Sequence, residues 1–260
     1  MPAKDTAPQD AALKNKVVWI TGGGTGIGRA AGQMFGAEGA RVALLGRRLE
    51  PLEKAAQAIR AAGGEAKAVA LDVADRAQVR QVGAALLAEW KRVDILVNNA
   101  GLNVGRRRLN VLTGEDWDLV VRVNLTGAFN MVQAVLPAMR AQQDGLLINV
   151  ASFAGKFPSP LTGTVYNASK HGMVALSHSI NLEEWPHNIR ATAFCPAEVN
   201  TEILAKRPVP VPDEERPRMM QPEDLAHAMR MLALMPGRTC VAEMILVPTY
   251  KRKMLPGELE

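Results

Sequence analysis

The chain has 260 residues, a net charge of +5, 48% apolar residues and 22% charged ones. That length fits one large α/β unit, and that balance is typical of soluble globular proteins. Aromatics make up 4% of the chain. They are too sparse, and not interleaved with Arg47-Arg48 or Arg106-Arg107-Arg108, so no nucleic-acid surface is expected.

No apolar run reaches the roughly 18 residues of a membrane span, and the first residues show no apolar signal core. No membrane partner is expected. Cys195 and Cys240 lack metal-like or redox-like spacing. Both read as free thiols of a reducing compartment, the cytoplasm, and no metal site is expected.

In chain order, residues 1–14 are polar and read as a mobile tail before a single domain over 15–250. Residues 16–20 (KVVWI) read as a buried parallel strand. It runs into Thr21-Gly22-Gly23-Gly24-Thr25-Gly26-Ile27-Gly28, and a helix follows over 29–38. Strand, glycine loop and helix form the context of a dinucleotide fingerprint. The glycines let backbone N–H groups approach a pyrophosphate, and the helix start adds partial positive charge.

Residues 39–46 (GARVALLG) read as the second strand. An acidic residue at its end would bind a ribose 2′-hydroxyl, and an arginine would accept a 2′-phosphate. This chain has Gly46-Arg47-Arg48 there, so Arg47 and Arg48 favour NADP, with NAD as the alternative. A helix over 49–62 ends at Gly63-Gly64, and a third strand over 66–71 leads to Asp72 and Val73, where adenine would lie. A helix over 75–90 and a fourth strand over 93–97 follow. That strand runs into Asn98, Asn99, Ala100 and Gly101, which could line a cofactor cleft.

A long helix is expected over 115–140, with Asn124 buried in an apolar stretch and in need of partners. A fifth strand over 146–150 precedes Ser152. Tyr166 and Lys170 lie one turn apart on a helix over 165–185. A lysine ammonium beside a phenol favours phenolate and would draw Tyr166 toward neutral pH. Such a tyrosine can exchange a proton with a substrate oxygen. A sixth strand over 189–194 leads to residues 195–201. Residues 202–222 are proline-rich and charged, and the 200–222 stretch reads as a substrate-side loop. A helix over 223–235 and a last strand over 244–247 complete the domain, and 251–260 reads as a tail.

Alternating strands and helices imply a parallel sheet with helices on both faces and a ligand at the carboxyl ends of the strands. The glycine loop, Asn98–Gly101, Ser152 and residues 195–201 all follow strands, so they gather at one edge.

Taken together, Thr21–Gly28, Asp72-Val73, Asn98–Gly101, Asn124, Ser152, Tyr166, Lys170 and Pro196–Thr201 make the chain resemble the short-chain dehydrogenase/reductase family over residues 14–248. The resemblance implies a doubly wound Rossmann-type fold with a seven-stranded parallel sheet. It implies hydride transfer between NAD(P) and a carbonyl or secondary alcohol. Tyr166 would be the acid/base, and Ser152 would position the substrate oxygen. Lys170 would bind the nicotinamide ribose as well as tune Tyr166. Asn124 would anchor a water leading from Lys170 to solvent. The cofactor would also meet Gly22, Gly24, Thr25, Gly26, Ile27, Gly28, Asp72, Val73, Asn99, Ala100, Gly101, Val199 and Thr201. A homo-oligomer, dimer or homotetramer, would form through helices 115–140 and 165–185.

The chain departs from the family's pattern at Pro196-Ala197, where Pro-Gly is usual, and in a Ser152–Tyr166 gap of fourteen, where thirteen is commoner. The usual glycine-rich ending is also replaced by residues 238–249. The alternative from another class is a dinucleotide-binding regulatory or scaffold protein without turnover.

Overall fold

A computed structural model describes residues 12–252 of the chain. Its strands are β1 (Val17–Thr21), β2 (Arg41–Gly46), β3 (Glu65–Ala70), β4 (Ile95–Asn98), β5 (Gly145–Val150), β6 (Ile189–Pro196) and β7 (Glu243–Leu246). They form one sheet in the order β3-β2-β1-β4-β5-β6-β7. Every pairing is parallel. The helices are α1 (Gly26–Ala37), α2 (Leu49–Ala61), α3 (Arg76–Trp90), α4 (Gly114–Val121), α5 (Gly127–Gln142), α6 (Thr164–Glu184) and α7 (Pro222–Leu234). This is the doubly wound Rossmann-type architecture.

Successive side chains of a strand face opposite sides. Val18 and Ile20 of β1 join Phe35, Ile59 and Leu225 in one core. Val17 and Trp19 join Val79, Leu86, Met131 and Met139 in the other. Burial on both faces is why the central strands read as unbroken apolar runs. The order reverses between β1 and β4, which opens a crevice at their carboxyl ends.

Three expectations change here. The helix expected over 115–140 is two helices, α4 and α5, joined by a π-helical turn at Arg122–Thr126. Such turns carry one extra residue and often mark functional sites. Asn124 lies within this one, fully buried. The run Gly114–Gln142 is also long and apolar enough to span a membrane by length and composition, and half of its most apolar window is buried in the fold. Third, the domain reaches beyond its expected limits at both ends. Leu13 is buried and its N–H donates to Glu38 O, while Arg252 is buried near the other end. Residues 1–11 and 253–260 of the expected tails lie outside the described residues.

The excursion between β6 and α7 is folded. Leu204, Val211 and Met219 form a small core of their own. Val199 bridges to Met220, and Asn200 N–H donates to Met220 O.

Candidate active site

The glycine loop leaves β1 and enters α1 with Gly22 at φ +65° and Gly26 at φ +49°. A side chain on Gly28 would put its Cβ 2.3 Å from Gly22 O, so the loop closes only around a bare backbone. Thr25 caps α1 without a side-chain hydrogen bond, and the first N–H groups of a helix have no partner within it. Bare backbone, free donors and the helix dipole make a cradle that fits a pyrophosphate. A Cβ on Gly26 would stand 3.1 Å from Thr201 Cγ2, so the predicted Thr201 faces this cradle. Ile27 packs on the core, and Gly24 lies against Pro51 and Leu52.

The loops after β1 and β4 are tied together. Thr21 Oγ1 accepts from the N–H groups of Asn99 and Ala100, at 3.0 Å each. Asn99 Nδ2 donates to Thr21 O at 3.0 Å and Gly22 O at 3.2 Å. Behind them runs a buried chain that the sequence did not announce. Asn98 Nδ2 donates to Asn149 Oδ1, and Asn149 Nδ2 donates to Ser177 Oγ. Asn149 is hidden inside an apolar strand, and its polarity there was the available signal.

Ser152, Tyr166 and Lys170 meet where β5 ends. Ser152 is buried, and its Oγ accepts from Ala154 N–H at 3.1 Å. Lys170 is buried as well, and its Nζ donates to Val150 O at 2.7 Å. That ammonium lies 5.5 Å from the centre of the Tyr166 ring. A Cβ on Gly101 would stand 3.5 Å from Lys170 Nζ and 3.4 Å from Asn124 Oδ1. The Gly101 turn therefore sits between lysine and asparagine.

Asn124 Oδ1 accepts from Leu102 N–H at 2.8 Å, and its Nδ2 donates to Leu102 O and to Ser169 Oγ. Ser169 Oγ in turn donates to Tyr166 O. The asparagine thus fastens both the turn after β4 and the first turn of α6. Both of its N–H donors are spent on protein partners.

The electrostatics differ from the sequence-based expectation. Burial pushes the Tyr166 phenol above its ordinary value, while Ser152 and the charges of Arg107 and Arg207 pull it down. Burial lowers Lys170 to about 8, with Cys195 pulling weakly the other way. In the protein alone, the Lys170 ammonium donates to Val150 O, and burial leaves the phenol above its ordinary value.

The remaining predicted residues take varied places. Arg47 and Arg48 are exposed at the end of β2, next to Gly46, whose Cβ would lie 4.0 Å from Gly22 Cα. Asp72 Oδ1 accepts from Ala74 N–H in a local turn. Val73 packs beside Gly127, and its carbonyl accepts from Asn130. Val199 is buried. The three consecutive arginines diverge. Arg106 is exposed and Arg107 is buried, and Arg107 and Arg108 both line an open hollow of about 390 Å³ shared with Pro158, Ser159, Pro160, Gly163, Thr164 and Asn167. Ser152, Tyr166 and Lys170 do not line that hollow, so it is a neighbour of the site. Ala197 N–H donates to Leu246 O and ties the segment after β6 to β7.

Known proteins resemble this chain in sequence and fold. The family model described as short chain dehydrogenase matches residues 16–209. A 3-oxoacyl-acyl-carrier-protein reductase of Thermotoga maritima is 34% identical over 227 residues, covering 85% of this chain and 91% of that protein. The crystal structure of a metagenomic short-chain oxidoreductase in complex with NADP superposes with a TM-score of 0.79 at 32% identity, over 92% of this chain and 100% of that one. A 3-ketoacyl-acyl-carrier-protein reductase from Brucella melitensis, complexed with NADH, gives 0.80 at 28% identity, over 90% and 98%. Sequence, sheet order and cradle agree: the chain belongs to the short-chain dehydrogenase family and is an NAD(P)-dependent oxidoreductase.

Proposed function

We propose that the chain interconverts a carbonyl and a secondary alcohol with NADP as the preferred cofactor, and that Tyr166 exchanges the proton. The observation that carries this reading is the convergence of Ser152, Tyr166 and Lys170 beside the Gly101 turn, at the same sheet edge as the glycine cradle. A bound nicotinamide supplies the hydride to the carbonyl carbon or removes it from the alcohol. Ser152 and Tyr166 hold the substrate oxygen by hydrogen bonds. In reduction Tyr166 gives its proton to that oxygen, and in oxidation it takes one. Lys170 faces the turn where a ribose would lie, and below about pH 8 it offers an ammonium to it. Asn124 fixes the turn and the start of α6, so the spacing of these groups is set by the fold.

The NADP preference rests on Arg47 and Arg48, exposed beside the cradle with no carboxylate at the end of β2. Relatives with NADP and with NADH are both known, so the cofactor test is direct. Calorimetry is expected to show tighter binding of NADPH than of NADH. Arg47→Ala is expected to weaken NADPH about tenfold, the scale of one charge-assisted hydrogen bond, and to leave NADH unchanged. Equal binding of both cofactors would remove the preference, and binding of neither would favour the scaffold alternative.

Assembly and location follow as part of the same reading. Trp117, Phe129, Leu182 and Trp185 are exposed on α4, α5 and the end of α6, with Leu182 at 77% and Trp185 at 71%. Large apolar residues in that region support a homodimer or homotetramer through these helices. Light scattering after gel filtration checks it, and a monomer would refute it. Two free cysteines fit the cytoplasm.

A further inference from the structure

We propose that residues 250–252, beyond β7, form a strap that holds the excursion between β6 and α7 and so positions Thr201 at the cofactor cradle. Arg252 and Tyr250 are then positioning residues for dinucleotide capture. That role rests on the reading of the cradle as the cofactor site, and the strap itself does not.

The excursion is poorly equipped to hold itself. Its small core of Leu204, Val211 and Met219 is separate from the two cores of the sheet. Pro208, Pro210, Pro212 and Pro217 interrupt it, and each withholds an N–H donor. Its backbone hydrogen bonds include local turns, such as Arg207 N–H to Leu204 O and Arg218 N–H to Glu215 O. A segment of this kind takes its order from contacts outside itself.

The strap grips the departing limb at Glu198. Arg252 donates to both oxygens of that carboxylate, from Nε to Oε2 at 3.1 Å and from Nη2 to Oε1 at 2.8 Å. The Arg252 side chain is 3% exposed. A two-bond fork fixes direction as well as distance. Glu198 Oε1 also stands 2.8 Å from Arg207 Nη1. One carboxylate thus joins the strap, the end of β6 and the excursion. Burial opposes its charge, but Arg252 and Arg207 hold it below the ordinary carboxylate range. Just downstream, Thr201 faces the cradle. A Cβ on Gly26 would stand 3.1 Å from Thr201 Cγ2 and 3.2 Å from Glu202 Oε2.

The same strap meets the returning limb. The Arg218 guanidinium lies 3.4 Å from the centre of the Tyr250 ring, a cation–π contact. Tyr250 Oη donates to Glu215 Oε1 at 3.4 Å. The excursion is therefore pinned on both limbs by one short stretch of chain. A segment pinned twice cannot swing away from the cradle. Its conformational freedom is given up on folding and need not be lost again when a dinucleotide binds.

The test is hydrogen exchange read by mass spectrometry on the full chain, with tryptic cleavage after Arg218 in native buffer beside it. Arg252→Gln breaks a buried pair at a distance from that cleavage point. Its amides over 202–218 are expected to exchange about tenfold faster or more, and cleavage to quicken as much, while β1 and β4 keep their protection. NADPH, followed by its fluorescence, is expected to bind about fivefold more weakly. Arg252→Lys keeps the charge without the fork and is expected to recover part of both effects. Glu198→Gln is expected to give the same pattern. The double variant Glu198→Gln/Arg252→Gln is expected to be no worse than the stronger single one, because both cut one clasp. Tyr250→Leu is expected to speed exchange over 212–218 alone. If Arg252→Gln does not fold, Arg252→Lys and Tyr250→Leu carry the same comparison. Unchanged exchange over 202–218, or protection lost evenly across the sheet, would overturn the strap. A loosened excursion with unchanged NADPH affinity would overturn the positioning role. If the parent binds neither NADPH nor NADH, the cofactor reading is refuted instead, and the exchange pattern decides the strap by itself.

Discussion

The two halves of the sheet's carboxyl edge are built from different materials. On the cofactor side, backbone closes against backbone: Gly28 lies against Gly22 O, and the Asn99 amide ties down the carbonyls of Thr21 and Gly22. On the substrate side, long charged side chains join distant segments: Arg207 and Arg252 share Glu198, and Arg107 reaches the carbonyls of Val104 and Leu161. Backbone contacts leave almost no freedom in residue choice, because any Cβ collides. Side-chain clusters can be rewritten one residue at a time. The contrast teaches that a fixed cofactor and a variable substrate place different demands on the same edge.

The largest effect is expected where the halves join. Tyr166→Phe is expected to lower kcat on the order of a thousandfold, the scale of general acid–base catalysis, while NADPH binding by fluorescence changes little. Loss of cofactor binding in this variant would show that the halves are not separable. Next comes the pH response of Lys170. Its value of about 8 lies below the ordinary 10.5. Between those values the folded protein binds fewer protons than the unfolded chain, so stability rises with pH across that window. Urea melts of the parent and Lys170→Met, paired across pH 8 to 10.5, are expected to diverge in the parent's favour by up to roughly 3 kcal/mol. A flat difference would mean that this ammonium is not desolvated.

A glycine pair then tests the contrast itself. Gly28→Ala drives a Cβ to 2.3 Å from Gly22 O and is expected to cost about 2–3 kcal/mol in urea melts and to weaken NADPH. Gly105→Ala, in the substrate-side segment, meets nothing within 4 Å, and its stability is expected to stay within about 0.5 kcal/mol. Similar losses at both positions would erase the distinction. The smallest effect belongs to Arg47→Ala, exposed at the rim, with its expected tenfold loss for NADPH alone.

What the sequence made legible follows the same division. The strands could be read from apolar runs, because burial on both faces leaves no alternation. Val17, Trp19 and Leu96 are fully buried. The glycine loop was legible because its chemistry is local. The π turn at Arg122–Thr126 was not, since its sequence is as helical as its neighbours and only Asn124 hinted at it. Nor could Arg106, Arg107 and Arg108 be told apart. Their fates are set by Asp116, by the Leu161 carbonyl and by the hollow against residues 158–167, all remote in sequence. Glu198 likewise had no role until Arg252, 54 residues on, was found against it. Lys170 was expected to act on Tyr166. Its ammonium also holds the Val150 carbonyl, a partner no helical spacing reveals.

The tie between Thr21 and Asn99 has a kinetic consequence. Four hydrogen bonds join the ends of β1 and β4, so the crevice keeps its width before any ligand arrives. Such a preset slot asks for no rearrangement on capture. Stopped-flow mixing with dinucleotide is therefore expected to give one exponential whose rate climbs linearly with concentration. Thr21→Val removes the two bonds that end on Thr21 Oγ1 and is expected to introduce a second, concentration-independent phase as the slot widens and resets.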